Sequence, residues 1–264
     1  MQKTLLNAAL ALALAAPLAA RDLSTDRPDS TESPYTVDAG RVQVEFELAS
    51  FARDERSQPG LRGEDLTLGG FNAKLGLTHW ADLQVVLTPW ERQRQVDLNG
   101  GPVADEAGSS DLMFRLKMSL WGDDGGPTAF GLMPFISLPT SLASQGQAPS
   151  GGLILPLALD LPGGFSLTTM LELDVVKDAV GDAPHLDSLV TASLSHSLIK
   201  DRLDAFVELV SAAGDGGSNV WRPGLNGGLV LPVGEDQQWD LGFNQGLTPA
   251  AGDWRFFAGY SFRI

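Results

Sequence analysis

The chain contains no cysteine among its 264 residues, which excludes disulfide bonds and thiolate metal sites. Basic residues are also scarce, since 18 Lys and Arg face 33 Asp and Glu and give a net charge of −15. A nucleic-acid partner is therefore not expected, because a phosphate-binding surface must be basic. Beyond the first twenty residues, no apolar run reaches the length of about eighteen residues that a membrane-spanning helix needs.

Residues 1–20, MQKTLLNAALALALAAPLAA, have the three regions of a Sec-type signal peptide. Lys3 supplies the positive start, residues 5–16 the apolar stretch, and Ala19 and Ala20 the small residues of a cleavage zone. An anchoring helix is the alternative, but the apolar stretch is short and charges follow it directly. We expect an exported protein that either dissolves in the periplasm or crosses a membrane as strands.

Sequence motifs for catalysis and metal binding are absent. The chain has neither a GxSxG nor an HExxH motif, and its three histidines, His79, His185 and His196, are not spaced as metal ligands. No enzymatic activity, metal or other cofactor is therefore expected. One enzymatic alternative remains, a lipid-hydrolysing barrel in which His196 pairs with a nearby serine.

The dominant periodicity from Arg41 onward is two, as in RVQVEFEL and DLMFRLKMSLW, where apolar and polar residues alternate. This period predicts strands rather than helices. About twelve such segments occur, an even number as in bacterial single-chain barrels. The predicted strands span residues 40–52, 65–77, 80–90, 111–121, 128–139, 151–161, 164–176, 186–199, 202–212, 219–233, 238–248 and 253–264.

The links between these segments alternate in length. Long links such as RDERSQPGLRGE and ERQRQVDLNGGPVADEAGSS are followed by tight ones such as GDDGG and Lys200-Asp201. Outer-membrane barrels have this alternation, because their outer loops are long and their periplasmic turns short. The sequence thus predicts an all-β fold, a transmembrane antiparallel up-and-down barrel over residues 40–264. Its expected partners are outer-membrane lipid and the barrel-assembly machinery.

Two features complicate this pattern. Strict alternation would turn three tryptophans inward, so either the register slips or these rings line the pore mouths. Four prolines lie inside predicted strands and call for bulges or bends, and Gly69-Gly70 also suggests a bulge. The residues concerned are Trp80, Trp90, Trp121, Pro134, Pro156, Pro223 and Pro232.

If the apolar faces contact lipid, the charged residues that alternate with them line the lumen. Rings of acidic and basic side chains of this kind tune solute selectivity in pores, although they also solvate a polar interior. The predicted pore-lining residues are Glu45, Glu47, Asp82, Arg115, Lys117, Glu172, Asp174, Asp204, Glu208, Arg255 and Arg263.

Residues 21–39 precede the first strand and carry a dense polar motif. This segment is either a solvated periplasmic tail or a plug that folds into the inner mouth and pairs with charges of the lumen. The motif consists of Asp26, Arg27, Pro28, Asp29, Thr31 and Glu32.

Three stretches resemble a known family, namely STDRPDSTESPYTVDAGRVQVE (24–45), FGLMPFISLPT (130–140) and GGLILPLALDLPGGFSL (151–167). The family is an outer-membrane "transporter" family named for the MetA pathway of phenol degradation. The resemblance implies a barrel and a role in solute passage, but no known substrate.

We therefore expect a porin-like outer-membrane channel for the passive passage of a small solute, such as an aromatic compound or an organic acid. About twelve strands would leave a narrow bore, because eight are filled by side chains and sixteen enclose water. The main alternative is a non-conducting structural or surface-interaction barrel closed by its N-terminal segment. The sequence leaves open whether the protein is a monomer or a homo-oligomer such as a trimer.

Overall fold

The structure is a computed structural model that describes residues 21–142, 144, 147–177, 184–214 and 220–264. The predicted signal peptide lies outside the described residues. The described residues form fourteen antiparallel strands and one 3-10 turn, Pro249–Ala251. The strands are β1 Val42–Asp54, β2 Leu61–Thr78, β3 Ala81–Leu87, β4 Trp90–Asp97, β5 Pro102–Gly108, β6 Leu112–Trp121, β7 Thr128–Leu138, β8 Ser150–Leu161, β9 Phe165–Lys177, β10 Pro184–Ile199, β11 Leu203–Ala213, β12 Trp221–Pro232, β13 Gln237–Gly246 and β14 Trp254–Arg263.

These strands form a closed barrel of twelve staves. β1 pairs with both β2 and β14, which joins the two ends of the sheet. β2 pairs with β3 through its second half and with β4 through its first half, so β3 and β4 are two parts of one interrupted stave. β5 and β6 form a second interrupted stave, because β5 pairs with β4 and β6 with β3. The prediction of an antiparallel barrel of about twelve strands is confirmed.

The third link of the sequence, residues 91–110, was expected to be a loop, and this expectation is wrong. It forms a hairpin in which β4 and β5 pair from Glu91 opposite Gly108 to Val96 opposite Pro102. Most of its residues are polar or small and most are exposed, so the alternation that marked the other strands is missing. A hairpin that continues beyond the barrel wall needs no apolar face, which explains why periodicity did not detect it.

The three problematic tryptophans point outward, with exposed fractions of 43% for Trp80, 36% for Trp90 and 51% for Trp121. Register shifts between Gly76 and Thr78 and between Ser119 and Trp121 account for two of them. The interpretation as register slips is therefore correct for Trp80 and Trp121, while Trp90 stands opposite the exposed Leu68 in a continuous register.

The prolines inside strands are accommodated without bulges at their own positions. Pro156 stands opposite Met170 and Pro223 opposite Ser211 in continuous registers. Gly69, by contrast, has a φ of 69° at the point where β2 changes its partner from β3 to β4. A residue with a side chain rarely adopts this conformation, so glycine suits the switch.

Burial in this barrel is the reverse of burial in a water-soluble protein. Charged side chains such as Glu45 and Lys117 are 1% and 0% exposed, whereas Leu209 and Phe256 on the outer face are 60% and 59% exposed. A continuous apolar exterior of this kind is stable where hydrocarbon replaces water as the solvent. Among the described residues, no helix has the length and apolar character needed to cross a membrane.

Leu209 lies near the middle of β11, and we expect Leu209→Arg to destabilise the barrel in lipid vesicles by about 2–4 kcal/mol, because an arginine would enter the hydrocarbon layer. Equilibrium unfolding by urea measures this change. Leu98→Arg is the matched control, since Leu98 is 49% exposed in the turn between β4 and β5, and it should be nearly neutral. Equal effects of the two substitutions would show that the exterior of β11 does not contact lipid.

Candidate functional site

Residues 21–39, here termed the luminal segment, contact inward-facing side chains from strands all around the barrel. The contacts begin at Arg21, which pairs with Asp38 at 2.7 Å, and Arg263 of β14 lies 3.6 Å from the same carboxylate. They continue to Val37, whose N–H donates to Asp82 of β3 at 2.9 Å. The segment therefore occupies the lumen along much of its length.

Asp26 lies at the centre of a buried ion cluster. Its carboxylate accepts hydrogen bonds from the ammonium groups of Lys74 on β2 and Lys117 on β6, which are 2% and 0% exposed. The N–H of Ser33 donates to the same carboxylate at 3.0 Å, and the N–H of Asp26 donates to Glu45. Burial alone would raise the pKa of Asp26, but attraction by Lys117 and Lys74 outweighs it and holds this pKa well below its usual range.

Arg27 forms the second anchor and points toward β13 and β14. Its guanidinium group donates to Asp240 at 2.8 Å and to Glu47 at 3.3 Å, and Glu47 also binds Arg255. Gly259 makes this position possible, because a Cβ atom there would lie 2.5 Å from two guanidinium nitrogens of Arg27. Pro28 follows through a cis peptide bond.

The third anchor is Glu208 of β11, which is fully buried. It accepts hydrogen bonds from the Thr31 hydroxyl at 2.6 Å and from the Ser30 N–H at 3.0 Å. Burial, together with repulsion by Glu208, raises the pKa of nearby Asp29 to about 8. Glu32 forms an ion pair with Arg115, yet burial and repulsion by Asp26 raise its pKa as well.

One sector of the lumen is apolar. Met133, Ile154 and Met170 form a buried cluster on the inner faces of β7, β8 and β9. Pro34 of the luminal segment passes Gly131 so closely that a Cβ atom at Gly131 would lie 3.2 Å from the Pro34 Cα. The luminal segment is thus held by ion pairs and hydrogen bonds on one side of the barrel and by close packing against Gly131 on the other.

All eleven predicted pore-lining residues are buried or half-buried, and most contact the luminal segment directly. Asp204 and Arg255 border cavities instead, while Glu172 and Asp174 lie two residues apart on β9. The seven that contact the segment are Glu45, Glu47, Asp82, Arg115, Lys117, Glu208 and Arg263. Their role in lining a conducting pore stays a prediction.

Sequence reasoning missed three charged residues that bind the luminal segment. One of them, Asp123, lies in the tight turn after β6, where alternation gives no signal, and it binds Arg21 and Thr36. The other two are Lys74 and Asp240. Each carried the same signal as the others, since Lys74 alternates with Ala73 and Leu75, and Asp240 lies between Trp239 and Leu241. Both are nearly fully buried and bind the luminal segment.

Two cavities lie on opposite sides of the luminal segment. One, of about 280 Å³, opens toward the long links and is lined by Asn72, Thr88, Arg115 and Arg255, among others. The other, of about 310 Å³, reaches the tight turns and is lined by residues such as Ser166, Ser195, Asp204 and Gln238. Arg27 borders both cavities, so the segment separates them.

His196 lies apart from the luminal segment's anchors. Its Nδ1 is 3.0 Å from the Gly164 carbonyl, and its ring stacks on Phe165 with centroids 4.4 Å apart. The ring is therefore engaged by the turn between β8 and β9. Within the described parts of the chain, no group of three or more His, Asp or Glu side chains could hold a metal ion.

The model of the family described as "Putative MetA-pathway of phenol degradation" matches residues 25–264, nearly the whole chain and most of the luminal segment. The chain belongs to this family. The resemblance inferred from the three sequence stretches is thereby confirmed. No curated protein matches the chain significantly.

Solved barrel structures of low sequence identity share the fold of this chain. An outer membrane channel from Pseudomonas putida F1 has 10% identity and a TM-score of 0.68, covering 91% of this chain and 100% of its own. The β domain of the Bordetella autotransporter BrkA has 12% identity and a TM-score of 0.51, covering 86% and 100%. These similarities show the fold alone.

Gly259→Val should displace Arg27 and weaken docking of the luminal segment by about 1–3 kcal/mol, because the added side chain occupies the space of the guanidinium group. Because the chain lacks cysteine, a single Ser33→Cys reporter can be labelled with a polar maleimide, and its labelling rate should rise. Gly101→Val is the control, since nothing lies within 4 Å of its Cβ position. An unchanged labelling rate would mean that Arg27 does not anchor the segment.

The raised pKa of Asp29 predicts that docking weakens in alkali. The docked state favours protonated Asp29, so this contribution is full in acid and is lost as the pH rises through about 8. Ion conductance should therefore increase between about pH 4 and about pH 8 and change little above that range. In Asp29→Asn the increase should shrink to the part contributed by Glu32, whose pKa is shifted in the same direction. An undiminished increase would contradict the role of Asp29.

Proposed function

We propose that the protein is an outer-membrane channel for the passive passage of a small solute, and that the luminal segment narrows its bore. The observation that carries the proposal is the pair of charged and polar cavities on either side of that segment, inside a closed barrel with an apolar exterior. A barrel of this size lies between the filled eight-stranded and the water-filled sixteen-stranded barrels.

The exterior supports a location in lipid. Trp239 packs on Tyr260 at 4.7 Å and Trp121 on Phe130 at 4.9 Å, both close to tight turns. Trp254 and Phe51 pair at 5.6 Å near the long links. Aromatic residues at both ends of an apolar belt are typical of the two interfaces of an outer membrane. Insertion there would depend on the barrel-assembly machinery.

The way the luminal segment is held supports passage rather than permanent closure. Its anchors are ion pairs and hydrogen bonds to Lys74, Lys117, Glu208 and Asp240, and these partners can exchange for water or solute. Apolar groups also contact the segment, in the sector around Met133 and at Phe257, whose ring lies under the Arg27 guanidinium group. A channel built in this way needs no cofactor and no energy source.

A second candidate is a non-conducting barrel with a structural or surface role. It is favoured by the completeness of the ion pairs around Asp26 and Arg27, which close the lumen between the two cavities. The similarity of the outer membrane channel from Pseudomonas putida favours conduction.

Deletion of residues 22–34 decides between these candidates. We expect small single-channel currents from the full chain in planar bilayers and several-fold larger ones after the deletion, because the two cavities would join. Deletion of residues 98–101, in the turn between β4 and β5, is the control and should leave the currents unchanged. Heat-modifiable migration on denaturing gels verifies that each variant is folded.

Unchanged currents in a folded 22–34 deletion would overturn the narrowing role of the segment. The absence of current from both the full chain and the deletion would favour the non-conducting barrel.

A further inference from the structure

Lys74 and Lys117 form a pair of ammonium groups on one wall of the lumen. Lys74 stands opposite Gln84 across the β2–β3 ladder, and Lys117 stands opposite Asp82 across the β3–β6 ladder. Both side chains are nearly fully buried, and each binds one carboxylate oxygen of Asp26, Lys74 the Oδ2 and Lys117 the Oδ1. The two cations are thus positioned at the separation that a single carboxylate bridges.

The balance of charge at this wall leaves room for a carboxylate. Lys74 pairs with Glu45 of the wall as well as with Asp26, whereas Asp26 is the one ion-pair partner of Lys117 among the described residues. Without Asp26, the fully buried ammonium group of Lys117 would therefore lose its ion pair. Buried charges of this kind are costly unless they are paired.

The luminal segment supplies more negative charge than the wall needs. It brings two carboxylates, Asp26 on the lysines and Glu32 on Arg115. The surplus agrees with the raised pKa of Glu32, which burial and then Asp26 produce. One carboxylate satisfies the site, and Asp26 is the one held by both lysines.

We propose that Lys74 and Lys117 are the binding site for a carboxylate group of the passing solute, and that Asp26 occupies this site in the closed state as an intramolecular competitor. This inference rests on the proposed channel function and specifies the class of solute, a small organic acid.

The geometry favours a carboxylate over other ions. The site presents one ammonium donor to each of the two oxygens of a carboxylate, Lys74 to one and Lys117 to the other. The two ammonium groups would repel a cation, and the carboxylates of Glu45 and Asp82 would repel a polyanion. The cavity of about 280 Å³, which Asp26 and Glu45 border, has room for a small organic acid but not for a large one.

Exchange of one carboxylate for another couples binding to opening. When the solute replaces Asp26, the lysines keep their ion pairs, so the cost of separating buried charges is avoided. Because the solute binds only the state from which Asp26 has withdrawn, its binding shifts the population toward that state.

The test is the affinity of the full-length detergent-purified protein for acetate, measured by titration calorimetry at constant ionic strength, with acetamide as the uncharged isostere. Asp26→Asn should bind acetate about tenfold more tightly than the unmodified chain, because the competing charge is removed. Lys74→Gln and Lys117→Gln should each bind it about tenfold more weakly. Arg92→Gln is the control, since Arg92 pairs with Asp105 on the exposed hairpin.

The direction of the Asp26→Asn effect is decisive, because a merely structural Asp26 would give no gain in acetate affinity. No gain, or equal binding of acetate and acetamide, would overturn the inference. If the lysine variants fail to fold, as judged by heat-modifiable migration, Asp26→Asn still decides. Conductance without a carboxylate preference would leave the channel function standing, and acetate binding without conductance would refute the channel function alone.

Discussion

The hydrogen-bond ladder between β1 and β14 is the interaction on which the rest of the structure depends. In hydrocarbon no water can satisfy a free strand edge, so a sheet that spans a membrane must close on itself. Once closed, it has an inside and an outside, and every strand must distribute its residues between them with a period of two. The apolar exterior and the charged interior are both consequences of this single closure.

The closed barrel concentrates buried charges in its interior. Glu45, Asp82, Lys117 and Glu208 are all within 1% of complete burial, and charges so deeply buried are unfavourable without partners. The wall pairs them only in part, because Asp82 and Lys117 project from neighbouring strands but Glu208 lies on β11, away from both. The luminal segment crosses the bore and supplies further partners, Asp26 to Lys117, the Val37 N–H to Asp82 and Thr31 to Glu208. Occupation of the lumen is therefore a response to the charge that closure concentrates there.

Much of this fold could be predicted from alternation, because the lipid boundary imposes it on each stave separately. Residues such as Glu45 and Lys117 could be assigned to the lumen from their own strands, and Lys74 and Asp240 carried the same local signal. The β4–β5 hairpin could not be found in this way, because it lies beyond the boundary that creates the pattern. The partners of Asp26 could not be found either, since β2 and β6 meet around it only after the barrel closes.

Gly76, Gly131 and Gly259 lie on three different strands, and a methyl group at each would collide with Asp38, Pro34 or Arg27 of the luminal segment. The inner surface of the wall at these three glycines is therefore complementary in shape to the luminal segment. At Gly259 the atoms in the way belong to the Arg27 side chain, so a smaller residue in the segment could compensate, whereas at Gly76 and Gly131 they belong to the backbone of the segment, which would itself have to move. Strands and segment can therefore change only as a matched set, and a segment exchanged between two such barrels would need its own wall to fit.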